Sequence, residues 1–378
     1  MSLHNIQMVD LKSQYQKIKK EVDAAILEVI DTTNFIKGPA VKSFQEELEN
    51  YLGVKHVIPC GNGTDALQIA LMALGLQPGD EVITANFTFA ATVEVIGLMN
   101  LTPVFVDVDK DTFNINTEEI KKAITPKTKA IIPVHLFGQA ANMEEIMQIA
   151  RDNNLFVVED TAQAIGSDYT FSDGSTKKTG TIGNIGTTSF FPSKNLGCYG
   201  DGGALFTNDD ELAKRLGAIC NHGMYQRYYH DEIGVNSRLD SIQAAVLRVK
   251  LPYLDEYCAA RQKVATYYNT AFAAIKELTT PTISKSSTHV FHQYTLKTNG
   301  VDRQELIDFL KEKGIPAMVY YPVPLHQQKA YIRPEFNNED YPITMELCES
   351  VLSLPIHTEM DENQLKYITE SVKEYFNK

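Results

Sequence analysis

The chain has 378 residues and carries 35 Lys and Arg against 48 Asp and Glu, a formal charge of −13 that speaks against nucleic acid as a partner, since gripping phosphates takes a surplus of cations. With 43% hydrophobic and 22% charged residues it reads as an ordinary globular protein, long enough for one large domain and one smaller one. Five scattered cysteines, Cys60, Cys198, Cys220, Cys258 and Cys348, form no CxxC pair, and no signal segment or membrane-length apolar run is present, so the expected location is the cytoplasm, away from any membrane.

Tyr15, Ile18, Val22, Ile26 and Ile30 recur at helical spacing and predict an amphipathic helix whose apolar stripe packs into the core. After the break at Asn34-Phe35-Ile36-Lys37-Gly38-Pro39, a second helix is marked by Val41, Phe44, Leu48 and Tyr51. Val54 to Cys60 reads as a strand, Gly61-Asn62-Gly63-Thr64-Asp65 as a loop, and Ala66 to Leu74 as a helix. Glycines ahead of a helix let the backbone approach an anion, and the free N–H groups and helix dipole then favour a phosphate. The same string also makes a plain turn with Thr64 or Asp65 as N-cap.

From Glu81 onward short β-branched runs, Val82 to Thr84, Val104 to Asp107, Ala130 to Val134 and Phe156 to Asp160, alternate with helical patterns near Thr88 to Met99, Thr117 to Ile124 and Met143 to Asn153. That rhythm predicts an α/β fold with a largely parallel sheet covered by helices, and ligands beyond the carboxyl ends of its strands. Asp160 stands at such an end, directly after an apolar run, so its carboxylate needs a partner: a helix cap, a salt bridge or a protonated ring nitrogen. Gln163 follows three residues later.

Asp173 to Gly180 reads as a polar loop and Thr187 to Phe191 as the strand leading to Lys194. Lys194 sits between aromatic residues, Pro192 and a glycine-rich loop, Gly197 to Gly203. Such flanks hold an ammonium near a partly desolvated cleft, where burial lowers its pKa and frees the amine for Schiff-base chemistry; a loop lysine reaching water is the simpler alternative. Cys198 reads as a small buried filler. Gly203 to Thr207 returns to the sheet, Asp209 to Cys220 is helical, and the polar and aromatic segment His222 to His230 precedes Gly234-Val235-Asn236-Ser237-Arg238-Leu239-Asp240 and a long helix. Past residue 255 the composition shifts toward a second module, with strands at Phe291 to Lys297 and Met318 to Tyr321 and helices at Arg303 to Lys313 and Asp361 to Phe376. The expected division is a large domain, 1–255, and a small α+β domain, 256–378.

A strand-end carboxylate, a lysine and a glycine-led helix together meet the needs of pyridoxal 5'-phosphate: an amine for its aldehyde, an acid for its ring nitrogen and a cradle for its phosphate. No metal site is expected. Four separated strings, Gly61-Asn62-Gly63-Thr64-Asp65-Ala66-Leu67, Glu159-Asp160-Thr161-Ala162-Gln163, Ser189-Phe190-Phe191-Pro192-Ser193-Lys194 and Gly234 to Asp240, resemble the DegT/DnrJ/EryC1/StrS family of nucleotide-sugar aminotransferases, in the same order and over nearly the whole chain. The resemblance implies the aspartate aminotransferase (fold type I) architecture and a homodimer with shared active sites. It implies that Lys194 makes the Schiff base, Asp160 binds the pyridine nitrogen, Gln163 faces the phenolic oxygen and Phe89 stacks on the ring. Gly63, Thr64 and Ser189 would hold the phosphate, with Asn236 reaching over from the partner subunit.

Lys194, where related dehydratases carry histidine, favours transamination. The substrates implied are L-glutamate and a UDP-linked 3-oxo-glucuronate for bacterial surface polysaccharide, with a dTDP-linked 3-keto-6-deoxyhexose as the alternative. Arg238 suits the uronate carboxylate, or an interface salt bridge, and Tyr321 and His326 match a substrate-facing segment. Tyr320 departs from the histidine that relatives often carry there. A cofactor-binding regulatory protein without catalysis is the reading from another class.

Overall fold

The computed structural model describes residues 6–377. In chain order its elements are α1 (Leu11–Thr32), α2 (Pro39–Leu52), β1 (His56–Cys60), α3 (Gly63–Leu74), β2 (Glu81–Ala85), α4 (Ala91–Leu98), β3 (Thr102–Val106), α5 (Thr117–Ala123), β4 (Thr128–Ile132), α6 (Met143–Asp152) and β5 (Phe156–Asp160). There follow β6 (Asp168–Thr170), β7 (Thr176–Lys178), β8 (Ile185–Ser189), β9 (Gly203–Thr207), α7 (Asp210–Ile219), α8 (Ser241–Lys250) and α9 (Leu254–Phe272). The remainder is β10 (Leu278–Thr279), β11 (Tyr294–Thr298), α10 (Arg303–Glu312), α11 (Pro342–Ser350), β12 (Val351–Leu354) and α12 (Glu362–Phe376).

Seven strands form one sheet in the order β1-β9-β8-β5-β4-β2-β3, and β9 alone runs against its neighbours. Side chains alternate across it, so neighbouring residues feed different cores. Ile83, Ile131 and Val157 pack with Ile120, Met143 and Ile146 from α5 and α6. Val82, Ile132 and Val158 pack with Leu67 and Ala70 of α3, Val95 of α4 and Leu216 of α7. Burial on both faces explains why these strands are continuous apolar runs. A second sheet, β10-β11-β12, is antiparallel and packs with α9, α10 and α12 in a separate core that includes Tyr268, Leu296, Leu310, Leu352 and Ile368. α9 runs unbroken through the expected boundary at 255/256.

Some sequence expectations shift. The stripe on α1 holds at Ile18 and Val22, but Ile26 is half-buried and Ile30 is 45% exposed. Each four-residue step overshoots a turn by about 40°, so strict four-residue spacing walks off the buried face, and Val29 fills it instead. The polar loop at 173–180 contains the second strand of a hairpin, β6–β7, whose exposed residues carry no apolar pattern. Met318 to Tyr321 is not a strand. Only Met318 pairs, with Ser353, and the third strand of the small sheet is β12. Pro316 and Pro322 bracket that segment and limit its pairing. Among the described residues no helix is long and apolar enough to cross a membrane.

Candidate active site

The carboxyl ends of β5 and β8, the start of α3 and the segments around Phe89, His292 and Tyr321 enclose a cavity of about 900 Å³. Gly63, Thr64, Phe89, Asp160, Gln163, Ser189, Lys194 and Tyr321 all line it. The sequence strings that carry them lie far apart, and the parallel sheet brings them together because its strand ends share one edge.

At the start of α3 the cap is Asn62, whose Oδ1 accepts from the Asp65 amide at 2.8 Å, so neither Thr64 nor Asp65 is the N-cap. This leaves the Gly63 and Thr64 amides without helical partners, at the positive end of the helix dipole. A Cβ on Gly63 would lie 2.7 Å from the Ser189 Cβ, so only glycine lets this turn press against the end of β8. The Ser189 hydroxyl and two free amides thus converge at one end of the cavity. Ser237 ties the loop down, accepting from the Gly61 amide at 2.8 Å and donating to Asp65 Oδ2 at 2.6 Å.

Asp160 is 6% exposed, and its carboxylate is oriented by two donors. Thr92 Oγ1 donates to Oδ2 at 2.8 Å, and the Ala162 amide donates to Oδ1 at 3.1 Å. The preceding Glu159 points the other way. Its oxygens accept from the Gly180, Ile182 and Gly183 amides and pair with His135 Nε2 at 3.0 Å. Burial pushes the Glu159 pKa up, but His135 and the amides outweigh it and hold the carboxylate below its ordinary range. Gln163 is fixed at both ends, accepting from the Phe137 amide at 2.9 Å and donating to the Tyr321 hydroxyl at 3.1 Å. Burial raises the pKa of that phenol well above its ordinary value. Phe89 is 57% exposed and lies 6.2 Å from the Tyr321 ring.

Lys194 sits in a turn closed by its own backbone. The Lys194 amide donates to Phe191 O at 2.8 Å, and Cys198 N donates to Phe190 O at 2.8 Å. The residue is half-buried because the cavity reaches its side chain, and no hydrogen bond or ion pair engages its ammonium among the described residues. Burial pushes its pKa down to about 8, with the Asp160 charge opposing. The neighbouring Cys198 thiol is buried and pushed up to about 11, as fits a filler.

Asn236, Arg238 and His326 do not line this cavity. Asn236 is exposed and pairs by its backbone with Asn221, while Arg238 is half-buried nearby. His326 lies apart from the wall on which the expected substrate-facing segment places Tyr321. It is 3% exposed, with Nδ1 2.7 Å from Asn86 Nδ2 and Nε2 2.9 Å from Asn338 Oδ1, so both ring nitrogens are already engaged. The sequence reading overlooked Thr88, Thr92, His292 and Gln293, which line the cavity or orient its carboxylate. Thr88 precedes α4, which begins at Ala91, so its separation from Thr92 is not a helical turn, and His292 and Gln293 likewise carry no local signal. Among the described residues no group of His, Cys, Asp or Glu is arranged to hold a metal ion.

The cavity fits pyridoxal 5'-phosphate by its donor set: amides and hydroxyls at one end for a phosphate, a pre-oriented carboxylate for a ring nitrogen, and an unengaged amine between them. The DegT/DnrJ/EryC1/StrS aminotransferase family matches residues 16–373. Similar proteins include a pleiotropic regulatory protein of Geobacillus stearothermophilus, 46% identical over 98% of this chain and 99% of that one. UDP-2-acetamido-2-deoxy-3-oxo-D-glucuronate aminotransferase of Pseudomonas aeruginosa is 43% identical over 96% and 98%. dTDP-3-amino-3,4,6-trideoxy-alpha-D-glucose transaminase of Streptomyces venezuelae is 37% identical over 98% and 96%. Among solved structures, a DegT DnrJ EryC1 StrS aminotransferase from Brucella abortus superposes with a TM-score of 0.92 at 41% identity, covering 99% of this chain and 100% of that one. The chain belongs to the DegT/DnrJ/EryC1/StrS aminotransferase family, has the fold of pyridoxal-phosphate enzymes of type I, and is a pyridoxal-phosphate-dependent aminotransferase.

Proposed function

We propose that this nucleotide-sugar aminotransferase moves an amino group from L-glutamate to the 3-keto carbon of UDP-2-acetamido-2-deoxy-3-oxo-D-glucuronate, in the cytoplasm, for a bacterial surface polysaccharide such as lipopolysaccharide O-antigen. The observation that carries the reaction class is the meeting of Lys194, Asp160 and the Gly63–Thr64–Ser189 donor set in one cavity. The sugar is supported by the 43% identity to an enzyme named for that substrate.

Bound pyridoxal phosphate supplies an electron sink for the carbon bearing the amine. Lys194 Nζ, its pKa lowered by burial, would anchor the cofactor and would be placed to hold and move the proton at the reacting carbon. Asp160, held by Thr92 and Ala162, would keep the pyridine nitrogen protonated. Gln163 would serve the phenolic oxygen and Phe89 would cover the ring. Gly63, Thr64 and Ser189 would hold the phosphate, and Asn236 of the partner subunit would complete that end. Asn236 and Arg238 lie outside the chain's own cavity, which supports a homodimer whose copies exchange them. Arg238 then grips the uronate carboxylate, and Tyr321 contacts the sugar. The separate core under the small sheet supports a division into 1–255 and 256–378.

The test is to add glutamate to the holoprotein and follow conversion of the aldehyde absorbance to that of the amine form, then to offer a panel of keto nucleotide sugars. Arg238→Ala is expected to lower kcat/KM for the UDP-uronate by about a hundredfold, as for truncating one member of a desolvated charge pair. An equal loss on a dTDP-6-deoxy sugar, which has a methyl in place of the carboxylate, makes the arginine structural. Two other readings have specific support. The dTDP-sugar transaminase at 37% identity favours a 6-deoxy substrate, and the panel decides. The regulatory protein at 46% identity favours a cofactor-binding regulator, the outcome if no amino donor changes the spectrum.

A further inference from the structure

His292 stands on the cavity wall with Lys194, Gln293, Tyr320 and Tyr321, and has no role in the chemistry above. It is 6% exposed, yet neither ring nitrogen makes a hydrogen bond among the described residues, and Nδ1 is enclosed without any partner. Buried imidazoles ordinarily find partners, and the contrast with His326, engaged at both nitrogens, is plain.

The segment that presents His292 is rigid. Val290 N donates to Gly138 O at 2.8 Å, and Gln293 N donates to Phe137 O at 3.3 Å. Arg261 Nη1, fully enclosed, donates to the carbonyls of Phe291 and His292. Gly138 has φ +119°, and a Cβ there would lie 2.8 Å from the Phe291 amide, so the two strips of backbone are in direct contact. From the other side, Asn195, next to Lys194, donates its amide to Val290 O at 3.0 Å, fixing the lysine turn against this segment. The unpaired imidazole is therefore held in place beside the reacting lysine. Burial first, then the Lys194 and Arg261 charges, lower its pKa well below the ordinary histidine value, which favours the neutral ring.

The carboxylates of glutamate are gripped most strongly by cations, and an uncharged ring offers none. It can exchange hydrogen bonds with an uncharged polar group near the reacting carbon, and a sugar supplies these as hydroxyls or an amide. We propose that His292 is a specificity-determining residue that reads an uncharged polar substituent of the keto sugar and plays no part in the glutamate half-reaction. This rests on the functional reading above and assigns the sugar-side wall of the same site. It also gives the unengaged Nε2 a purpose, Nδ1 being enclosed away from the cavity: a polar group left unmet in the free enzyme rejects analogues lacking the matching substituent.

The experiment measures the two half-reactions separately in holoprotein by stopped-flow absorbance: glutamate with the aldehyde form, and the keto sugar turned over by wild type with the amine form. His292→Phe is expected to lower the sugar half-reaction by about tenfold or more while leaving the glutamate half-reaction within about twofold. His292→Asn, which keeps a donor and an acceptor, recovers part of the loss. Calorimetric affinity for the aminated sugar product should fall in His292→Phe by a similar factor. Equal loss in both half-reactions, or loss in neither, overturns this proposal while leaving the functional reading intact. A wild-type protein inert to every sugar in the panel overturns both.

Discussion

Two lysines, Lys194 and Lys250, are both pushed by burial to about 8, yet their surroundings differ in kind. Lys250, at the end of α8, is 1% exposed; its ammonium donates to Gly197 O at 2.6 Å and lies 5.4 Å from the centre of the Tyr199 ring. Lys194 opens onto a cavity, and its ammonium is engaged by no hydrogen bond or ion pair among the described residues. The lowered pKa is the same; what differs is whether the amine has been given a partner. A perturbed lysine marks a reacting group only when its nitrogen is left free facing a space that a ligand fits, whereas a satisfied one braces backbone. Lys250 holds the carbonyl of a residue in the very turn that carries Lys194, so one lysine positions the loop of the other.

The comparison breaks most sharply at Lys194. Lys194→Ala should reduce transamination by about 10³-fold or more, measured as glutamate-dependent spectral turnover, while Lys250→Met keeps most of it. In apoprotein the neutral amine is the nucleophile, so the rate of recombination with pyridoxal phosphate should fall about tenfold per pH unit below about 8 in wild type. Next in size, Asp160→Asn should cost about a hundredfold in the same assay while leaving thermal stability close to wild type.

At Lys250 the effect is on stability. Its folded pKa is depressed from 10.5, so between pH 8 and 10.5 the unfolded chain holds a proton the folded one has released, and stability rises with pH in that window. Below pH 8 the cost of the buried ammonium, about 3 kcal/mol, is fully present. Lys250→Met should flatten this rise in a urea-unfolding series from pH 7.5 to 10.5. Smallest, Thr92→Val removes one donor from Asp160 and should lower turnover by about tenfold.

Legibility follows the same contrast. The large sheet was readable because strands buried on both faces write themselves as apolar runs, and Lys194, Asp160 and the α3 turn each sit in a local string with unusual neighbours. The small sheet was less so: β10 has two residues and β12 follows α11 without a break, so neither shows a strand-length pattern. Thr92 and His292 matter through contacts across the fold, which no local spacing encodes. His326 shows the converse, since its string fits a substrate-facing segment while its ring is engaged by two asparagines. Lys250 has no local mark of burial in the sequence, because its burial is created by the turn that packs over it.

The neighbouring acids at the end of β5 carry one last implication. Glu159 and Asp160 leave the strand on opposite sides, and the first is clamped by three amides and an imidazole. Sliding that ribbon by a single position would drive one anion into oil and pull the other off the substrate floor, so the clamp acts as a latch on alignment. Damage to Glu159 should therefore masquerade as a defect in chemistry that it never touches.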